Sequence, residues 1–426
     1  MPATAAGHQY TVKMNMDQTK NNHTKSVEDY KALDRLYLPH WLGERIRGVN
    51  YDLVEHMRQV LVSSPAFREI YGVDLTSIEH LHRNEASLRS LLGTPFLMVS
   101  PSLPSVEDWR CFVDNTATTM AVDELRNSMP RVRAALTTQS IQHHNRHFLD
   151  IVQSVANMNV LAAPLLGMTP ELVRYLGSLP AYKLRTALER IRDLPLFRWR
   201  FRDDAFWFQF TAHNLNVEQV AHHIMSTTPF RAGDLPHTAT WTDLRLGRET
   251  HEMYAGALMA HGGRASTAAT LFGLPQSKTR LMYQTIHGKR SPCGNLPNSL
   301  QWFVEKPQHR LHSTVFIWLF SAALEANANT PQALIAAADL YSNLFAETSP
   351  ALLTVDRACG LTRWMGAGTR LSLAPCRECR THYIVSNNES KIEMHHSFVC
   401  PACNGSLLPR VRGNGRSGRN GNAASK

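Results

Sequence analysis

The chain has 426 residues, of which 43% are hydrophobic, and it carries 45 Lys and Arg against 35 Asp and Glu. This composition suffices for two to four folded domains and excludes a mainly disordered or collagen-like chain. No apolar run approaches the roughly 20 residues of a membrane-spanning helix, and the N-terminus lacks the apolar core of a secretory signal. We therefore expect a protein with no membrane partner.

The positive charge is concentrated in two stretches of the C-terminal third. Residues 278–310 contain six Lys or Arg and one acid, and residues 394–426 contain five Lys or Arg and no acid. Concentrated positive charge predicts a polyanionic partner, above all nucleic acid. A solvated surface with a flexible tail would show the same composition.

Residues 1–27 are polar and are predicted to be disordered. Beyond them, a shift of 95 residues aligns two segments that begin at Leu53 and Phe148, and in this alignment Gly72 meets Gly167. The apolar positions of both segments follow the stripe of an amphipathic helix. The alignment indicates a duplication, and chance agreement between two amphipathic helices is the alternative.

Each copy is predicted to form a helix that stops at the glycine, followed by a second helix that opens at Asp74 or Thr169 as the N-cap. A third helix is predicted near Ala86–Leu92 and near Tyr182–Arg190. The aromatic and charged residues of Leu196–Phe210 alternate, which favours a short strand or hairpin.

The chain changes character after about residue 244, and residues 227–244 are predicted to be a linker. Glu249–Ala260 is predicted to be helical, and Val315–Leu324 is predicted to be part of a buried helix. A further helix is predicted to begin with Thr330 as its N-cap and Pro331 at its first position.

Residues 264–290 have the pattern of a helix-turn-helix. Small side chains in the first predicted helix, which ends near Phe272, allow a second helix to pack across it. Gly273 and Pro275 form the turn, and the second helix runs from Gln276 to His287. Polar side chains at its start are of the types that contact bases and phosphates. Two helices around such a turn are also common in purely structural all-α domains.

Four of the seven cysteines form two C-x-x-C pairs separated by 20 residues, namely Cys376, Cys379, Cys400 and Cys403. This spacing is typical of a zinc ribbon, in which four thiolates hold one structural Zn²⁺ in a closed tetrahedron. A redox dithiol or an iron–sulfur cluster would use the same residues. His395 and His396 could replace a thiolate. Cys111, Cys293 and Cys359 have no partner by spacing and are predicted to be ordinary thiols.

Motifs of the common enzyme classes are missing, so we expect a protein without catalytic activity. The adjacent pairs His143–His144, His222–His223 and Asp203–Asp204 make poor catalytic constellations, because neighbouring side chains point in different directions. Most of these side chains are predicted to lie on the surface.

The C-terminal part resembles FlhC, a subunit of the bacterial flagellar master transcription activator, from about Ala255 to Pro409. The resemblance rests on GLPQSKTRLMYQTIHGKRSPCGNLPNSLQWF, on DRACGLTRW and on the two C-x-x-C pairs. The zinc-site cysteines of that family fall on the four clustered cysteines, although the spacer between the pairs is longer here. The positions kept between residues 283 and 303 are Tyr283, Gly288, Pro292, Gly294, Leu296, Pro297, Trp302 and Phe303.

The two repeats resemble FlhD, the partner subunit. Residues 160–201 carry the clearer likeness, and Leu53–Val99 carries a fainter one in which LMVSPSLP stands where the Phe-Arg-Phe segment is expected. The resemblance implies a D-like, D-like, C-like order in one chain. Since the family's complex has four D and two C subunits, it also implies a homodimer of this chain, with or without separate FlhD-like or FlhC-like subunits.

These observations together predict a mainly α protein with tandem FlhD-like helical domains, then a helical FlhC-like DNA-binding domain with a C-terminal four-cysteine zinc ribbon. The predicted boundaries are 28–140 and 141–226 for the FlhD-like domains, 245–370 for the helical FlhC-like domain, 371–410 for the ribbon and 411–426 for a disordered basic tail.

The resemblance implies binding to double-stranded promoter DNA and recruitment of RNA polymerase at flagellar, conjugative-transfer or related operons. It also implies a bacterial, cytoplasmic, nucleoid-associated protein. The alternative is a regulatory or assembly scaffold that has lost DNA binding and keeps zinc as a structural element. The residues predicted to contact DNA are Gln276, Ser277, Lys278, Arg280, Gln284, Lys289 and Arg290, the last two by charge alone.

Overall fold

The structure is a computed structural model that describes residues 33–115, 118–130, 135–190, 193–212, 215–233, 235, 247–294, 299–346, 352–368, 370–388 and 391–407. The predicted disordered N-terminus, the basic tail and residues 236–244 of the predicted linker lie outside the described residues. Helices dominate the described part, which confirms the mainly α fold class. None of the described helices is long and apolar enough to span a bilayer.

The first repeat comprises α1 (His40–Ser63), a 3₁₀ turn (Pro65–Phe67), α2 (Arg68–Tyr71), α3 (Leu75–Arg83), α4 (Glu85–Leu92), β1 (Val99–Pro101), α5 (Val106–Asp114) and α6 (Met120–Asn127). The second repeat comprises α7 (Ala135–Met158), α8 (Ala162–Leu166), α9 (Pro170–Ser178), α10 (Ala181–Arg190), β2 (Phe197–Trp199), α11 (Asp204–Ala212) and α12 (Val217–Thr227).

The two repeats have the same structure at the spacing that the sequence predicts. Their long helices, α1 and α7, both contain 24 residues and start 95 residues apart. Gly72 and Gly167 both adopt the left-handed conformation, with φ of 65° and 64°. Asp74 and Thr169 both cap the following helix, as predicted, by accepting a hydrogen bond from a backbone N–H of its first turn. The predicted boundary between residues 140 and 141 falls inside α7, so the second repeat begins before it.

The strands of the two repeats pair with each other in a symmetric register. In the antiparallel pair, Val99 faces Trp199, Ser100 faces Arg198 and Pro101 faces Phe197. Because β1 and β2 are equivalent strands, this pairing is what an approximate twofold axis between the repeats produces. The duplicated half is therefore arranged like a dimer within one chain.

A buried asparagine holds the same loop in each repeat. In the first, Asn50 accepts the Met98 N–H at 2.9 Å and donates to the Phe96 carbonyl at 2.9 Å. In the second, Asn145 accepts the Leu196 N–H at 2.9 Å and donates to the Leu194 carbonyl at 2.8 Å. Both asparagines are fully buried. They join each long helix to the segment that leads into the paired strand.

Replacing either asparagine with Ala is expected to destabilise the protein by about 2–4 kcal/mol, since a buried N–H and a buried carbonyl lose their partner at once. Asn50→Ala and Asn145→Ala should have effects of similar size. Urea denaturation measures them. The matched control is Asn157→Ala on the exposed face of α7, where we expect a change below about 0.5 kcal/mol. If Asn50→Ala or Asn145→Ala lowers the unfolding free energy as little as the control does, the two loops are not equivalent.

The segment Leu196–Phe210 contains one strand and one helix. The predicted short strand is confirmed at Phe197–Trp199, whereas the alternative of a hairpin within this segment is wrong, because the helix α11 begins at Asp204. The Asp203 carboxylate accepts the Ala205 N–H at 3.0 Å and so starts the helix. Phe206 and Phe210, one helical turn apart, are both buried.

The C-terminal part comprises α13 (Arg248–Ala260), α14 (Ala265–Phe272), α15 (Gln276–His287), α16 (Trp302–Glu305), α17 (Pro307–Glu325), α18 (Thr330–Leu344), α19 (Val355–Ala367), β3 (Leu371–Pro375), β4 (His382–Asn388), β5 (Lys391–Ile392) and a 3₁₀ turn (His395–Ser397). The three strands form one antiparallel sheet in the order β3-β4-β5. The predicted buried helix is confirmed as part of α17, which is buried from His309 to Ala323.

The N-cap of α18 is Asn329 and not Thr330 as predicted. The Asn329 carboxamide accepts the Gln332 N–H at 2.9 Å, and the Gln332 side chain accepts the Asn329 N–H at 3.0 Å. This reciprocal capping box satisfies two helix-end donors, which a threonine hydroxyl one residue later would not do.

The duplicated half and the C-terminal part share one hydrophobic core. Phe96 stacks on Trp318 of α17, with ring centroids 6.2 Å apart. Glu218 of α12 lies 3.8 Å from His312 of α17, and this neighbouring imidazole lowers the pKa of the Glu218 carboxyl. The two parts are therefore held together by apolar and polar contacts along α17.

Asp339 on α18 links the C-terminal part to the start of the first repeat. Its carboxylate accepts the Leu38 N–H at 2.8 Å. Burial raises the pKa of Asp339 from 3.8 to about 7, although the Leu38 hydrogen bond opposes this rise. The folded chain therefore binds this proton more tightly than the unfolded chain does.

Asp339→Asn is expected to stabilise the protein increasingly as the pH rises. The raised pKa means that wild-type stability falls with pH from about 4 to about 7, whereas an Asn can still accept the Leu38 N–H and does not titrate. The gain in unfolding free energy should grow by about 2–3 kcal/mol between about pH 5 and pH 8. Urea denaturation of both proteins at the two pH values measures it. A gain independent of pH would show that Asp339 ionises normally in the folded chain.

Candidate metal centre and helix-turn-helix segment

The first C-x-x-C pair forms a tight turn between β3 and β4. The Cys376 N–H donates to the Thr381 carbonyl at 2.9 Å, and the Arg380 N–H donates to the Cys376 carbonyl at 3.0 Å. Arg380 has a φ of 62°, so the chain turns back through a left-handed residue. This geometry turns the two cysteine side chains inward, as a zinc knuckle requires, and leaves Arg377 and Arg380 exposed.

The second C-x-x-C pair forms a matching turn at the end of the described chain. The Cys403 N–H donates to the Cys400 sulfur at 3.4 Å. The two turns are joined by the Arg377 N–H, which donates to the Phe398 carbonyl at 2.9 Å. The spacer between the pairs folds as β4 and β5, so an antiparallel hairpin joins the two knuckles.

Three of the four predicted cysteine ligands meet at one point, together with a histidine that the sequence did not indicate. One ligand atom each from Cys379, Cys400, Cys403 and His222 lies within 4.8 Å of the other three. The Cys379 and Cys400 sulfurs are 3.8 Å apart. Three thiols and an imidazole are the soft and borderline donors of structural zinc sites, so the donor set fits a tetrahedral metal ion.

Cys376 is buried next to this set but is not one of the four. Its sulfur accepts the Cys400 N–H at 3.3 Å. This hydrogen bond fixes the backbone of the second knuckle. The structure therefore brings together Cys379, Cys400 and Cys403 as predicted and places Cys376 behind them.

The three thiols of the site influence one another strongly. Hydrogen bonds from Cys400 and Cys403 lower the pKa of Cys379, while the bond to Cys379 raises the pKa of Cys403 to about 12. Cys379 is thus the thiol that ionises first. A bound cation would displace the remaining protons, so metal affinity should rise with pH.

Most side chains of the three adjacent pairs are predicted to lie on the surface, but His222 and His223 are exceptions, because both are buried on α12. His222 Nδ1 lies 2.8 Å from the Tyr383 hydroxyl, and His223 Nε2 lies 3.0 Å from the Gln209 side chain. Sequence reasoning missed His222 because it is 157 residues before Cys379. Its only local signal is its place in an amphipathic helix, which does not point to a metal.

The other predicted candidates lie away from the metal centre. His395 and His396 are exposed, and His395 Nε2 lies 3.1 Å from the Ser372 hydroxyl. Cys111 and Cys359 are buried, and Cys293 is exposed; none of the three belongs to the group of potential ligands.

Helix α12 is held in place by a buried arginine. Arg200 follows β2 and donates to the Ile224 carbonyl at 3.0 Å and to the Leu97 carbonyl at 2.9 Å. Burial lowers its pKa to about 9, so the guanidinium stays charged at neutral pH. A cation at the C-terminal end of α12 is favourable for the helix dipole. This arrangement fixes the helix that carries His222.

The helix-turn-helix prediction is confirmed at both helix boundaries. α14 ends at Phe272, Gly273 turns with a φ of 60°, and α15 runs from Gln276 to His287. Thr279 and Tyr283 are buried on the inner face of α15. The opposite face of this helix is open.

The residues predicted to contact DNA lie on or just after this open face. The Arg280 guanidinium donates to the Gln276 side chain at 3.2 Å, so the two exposed residues form one polar unit. Lys278 is only half-exposed and forms an ion pair with Glu252 of α13. The predicted set with exposed side chains comprises Gln276, Ser277, Arg280, Gln284, Lys289 and Arg290.

Comparison with known proteins places the C-terminal part in one family. The model of the flagellar transcriptional activator FlhC matches residues 248–414. Flagellar transcriptional regulator FlhC of Yersinia enterocolitica is 30% identical over 149 residues, which cover 34% of this chain and 74% of that protein. FlhC of Cupriavidus necator is 28% identical over 157 residues, covering 36% of this chain and 73% of that protein.

FlhC of Verminephrobacter eiseniae is 29% identical over 153 residues, covering 35% of this chain and 78% of that protein. All these proteins are named as regulators of transcription, which confirms the expectation that the chain is not an enzyme. The family match begins at residue 248, so both repeats and His222 lie outside it. Through its C-terminal part, which contains the helix-turn-helix and the cysteine knuckles, the chain belongs to the FlhC family of flagellar transcriptional activators.

Proposed function

We propose that the chain is a DNA-binding transcriptional activator that combines FlhD-like and FlhC-like parts in one polypeptide. The FlhC family match together with the open face of α15 carries this proposal. The α15 side chains would read the major groove, and the basic stretches would contact phosphates without regard to sequence. Bound at a promoter, the chain would recruit RNA polymerase in the bacterial cytoplasm.

The structure of the duplicated half supports the proposal that the chain contains its own FlhD-like parts. Two equivalent repeats pair through β1 and β2 about an approximate twofold axis, as two separate subunits would. The C-terminal part packs on this unit through α17. A chain of this kind needs no separate FlhD-like protein to reach the D-like, D-like, C-like composition, although such a protein could still join it.

We further propose that two chains associate. Trp41 and Leu136 stand at equivalent positions of α1 and α7, and their side chains are 51% and 80% exposed among the described residues. Exposed apolar side chains repeated by the local symmetry favour association of two duplicated units. Light scattering should give twice the mass of one chain, and a monomer both with and without DNA would contradict this.

The metal centre has a structural role in this proposal. Zinc held by the ribbon thiolates would supply a closed tetrahedral crosslink and no reactive position. The residues available are the cysteines of the two knuckles, with Cys376 predicted as a ligand from its spacing. Their flanks carry Arg377 and Arg380, which are exposed and would face DNA.

The test of the proposed function is binding of the full chain to DNA fragments from upstream of the operons that neighbour its gene. We expect one fragment to bind roughly a thousandfold more tightly than random DNA of equal length. We also expect affinity to fall steeply as salt rises. Salt-dependent binding without any preferred fragment would contradict the activator. No binding to any fragment would favour the alternative, a regulatory scaffold that has lost DNA binding.

A further inference from the structure

We propose that His222 is the fourth protein ligand of the metal centre, so that the metal clamps α12 to the cysteine knuckles. The ligand set would be Cys379, Cys400, Cys403 and His222. This inference goes beyond the FlhC family match, which begins 26 residues after His222. It rests on the proposed metal centre and is independent of DNA binding.

The geometry around His222 is that of an oriented metal ligand. The imidazole is 3% exposed, and its Nδ1 lies 2.8 Å from the Tyr383 hydroxyl. That contact leaves Nε2 as the nitrogen for a metal. Metal-binding histidines usually have such a partner on the other ring nitrogen, which fixes the tautomer and the ring orientation. Tyr383 lies on β4, so the ribbon itself supplies the residue that aims the histidine.

The position of Cys376 argues against a thiolate as the fourth metal ligand. Its sulfur accepts the Cys400 N–H at 3.3 Å and is not within the set of mutually close ligand atoms. Hydrogen bonds of this kind position a ligand and tune its charge without direct contact to the metal. Cys376 is therefore assigned as the residue that positions Cys400.

A polar contact also joins α12 to the C-terminal end of the described chain. Asn216, at the start of α12, donates to the Leu407 carbonyl at 3.3 Å. A metal bond to His222 would add a strong crosslink at this junction. The duplicated half would then hold the knuckles directly, and loss of the metal would loosen α12 as well as the ribbon.

X-ray absorption at the zinc edge of the zinc-loaded full chain tests the ligand set directly. We expect three sulfur atoms at about 2.3 Å and one nitrogen at about 2.0–2.1 Å. A shell of four sulfur atoms would overturn the role of His222 and leave the metal centre intact. Less than half an equivalent of zinc per chain, after purification under reducing conditions, would overturn the centre itself. This measurement needs no variant and so does not depend on a variant's folding.

Two variants then separate the candidate fourth ligands. Cys376→Ser should keep the three-sulfur, one-nitrogen shell and about one equivalent of zinc. His222→Ala should lose the nitrogen and weaken zinc binding at least about 10–100-fold in a chelator competition. The neighbouring His223→Gln is the matched control, because His223 is equally buried but is not in the ligand group. The reverse result, with zinc lost in Cys376→Ser and retained in His222→Ala, would overturn the assignment.

Hydrogen exchange provides a readout of the clamp that does not depend on metal affinity. On removal of zinc, amides of α12 in the wild-type chain should exchange at least roughly tenfold faster. In His222→Ala, which lacks the bond, α12 should already exchange at the faster rate with zinc present, and chelation should add little. Protection of α12 that is unchanged by chelation of the wild-type chain would overturn the clamp.

Discussion

Removing the metal is expected to unfold both cysteine knuckles while leaving the rest of the C-terminal part folded. Binding of structural zinc contributes about 10–16 kcal/mol to small metal-dependent folds at neutral pH. The knuckles have little apolar surface of their own to replace it. In Cys400→Ser, which removes one thiol of the cluster, we expect zinc content to fall well below half an equivalent per chain.

Strand β4 should survive this loss, because it packs on α17. The Ile384 N–H donates to the Thr314 hydroxyl of that helix at 3.2 Å, and Tyr383, Ile384 and Val385 are buried. Hydrogen exchange should therefore show rapid exchange in residues 376–380 and 400–404, with retained protection in residues 383–385. The pattern distinguishes local unfolding of the knuckles from global unfolding.

The matched control for this experiment is Cys293→Ser, a cysteine that is exposed and outside the ligand group. It should keep a full equivalent of zinc and the wild-type exchange pattern. Zinc binding should also weaken as the pH is lowered, since protons compete for the Cys403 thiol, whose pKa is raised to about 12. Knuckles that stay protected after complete removal of zinc would show that the ribbon does not need a metal.

The features that the sequence predicted well are those set by local chemistry. The limits of α14 and α15 follow from Gly273 and Pro275, since a left-handed glycine ends one helix and a proline precedes the next. The equivalence of the repeats is visible because Gly72 and Gly167 serve the same turn 95 residues apart. Two C-x-x-C pairs are sufficient to indicate knuckles, because each pair is a short turn.

The features that the sequence did not reveal depend on contacts between distant segments. His222 joins the cysteine cluster only because Arg200 and α17 place α12 beside the ribbon. The ion pair of Lys278 with Glu252 likewise depends on how α13 crosses α15. The sequence also did not predict strand β1 of the first repeat, because LMVSPSLP shows little strand character. This segment forms a strand because it pairs with β2.

Replacing Arg280 by Ala is expected to remove most of the preference of the chain for its DNA site. Arg280 is exposed on α15 and is held by Gln276, which limits the side-chain freedom that must be lost on binding. An arginine that contacts a base edge at two points contributes about 1–3 kcal/mol of discrimination, which is roughly 5- to 150-fold in affinity. Fluorescence anisotropy with the preferred fragment and with random DNA measures both affinities. The loss should be much larger for the preferred fragment.

Lys278 should behave differently because Glu252 already pairs with it. Lys278→Ala is expected to weaken binding to both DNAs to a similar, smaller extent, whereas Glu252→Gln should strengthen binding to both. Glu252 also pairs with Arg248 at 3.2 Å, so this variant frees two cations. The slope of log affinity against log salt should become steeper by about one for each cation that reaches a phosphate. A loss of affinity in Lys278→Ala together with a gain in Glu252→Gln would show that the basic side chains around Glu252 contact phosphate.

The matched control is Arg89→Ala in the first repeat, which removes the same charge from an exposed side chain far along the sequence from α15. If α15 reads the DNA, Arg89→Ala leaves the ratio of the two affinities unchanged, while Arg280→Ala lowers it. An equal loss for both variants would mean that net charge alone drives binding. The face of α15 would then have no role in recognition, and the residues that recognise the DNA sequence would lie on another element of the chain.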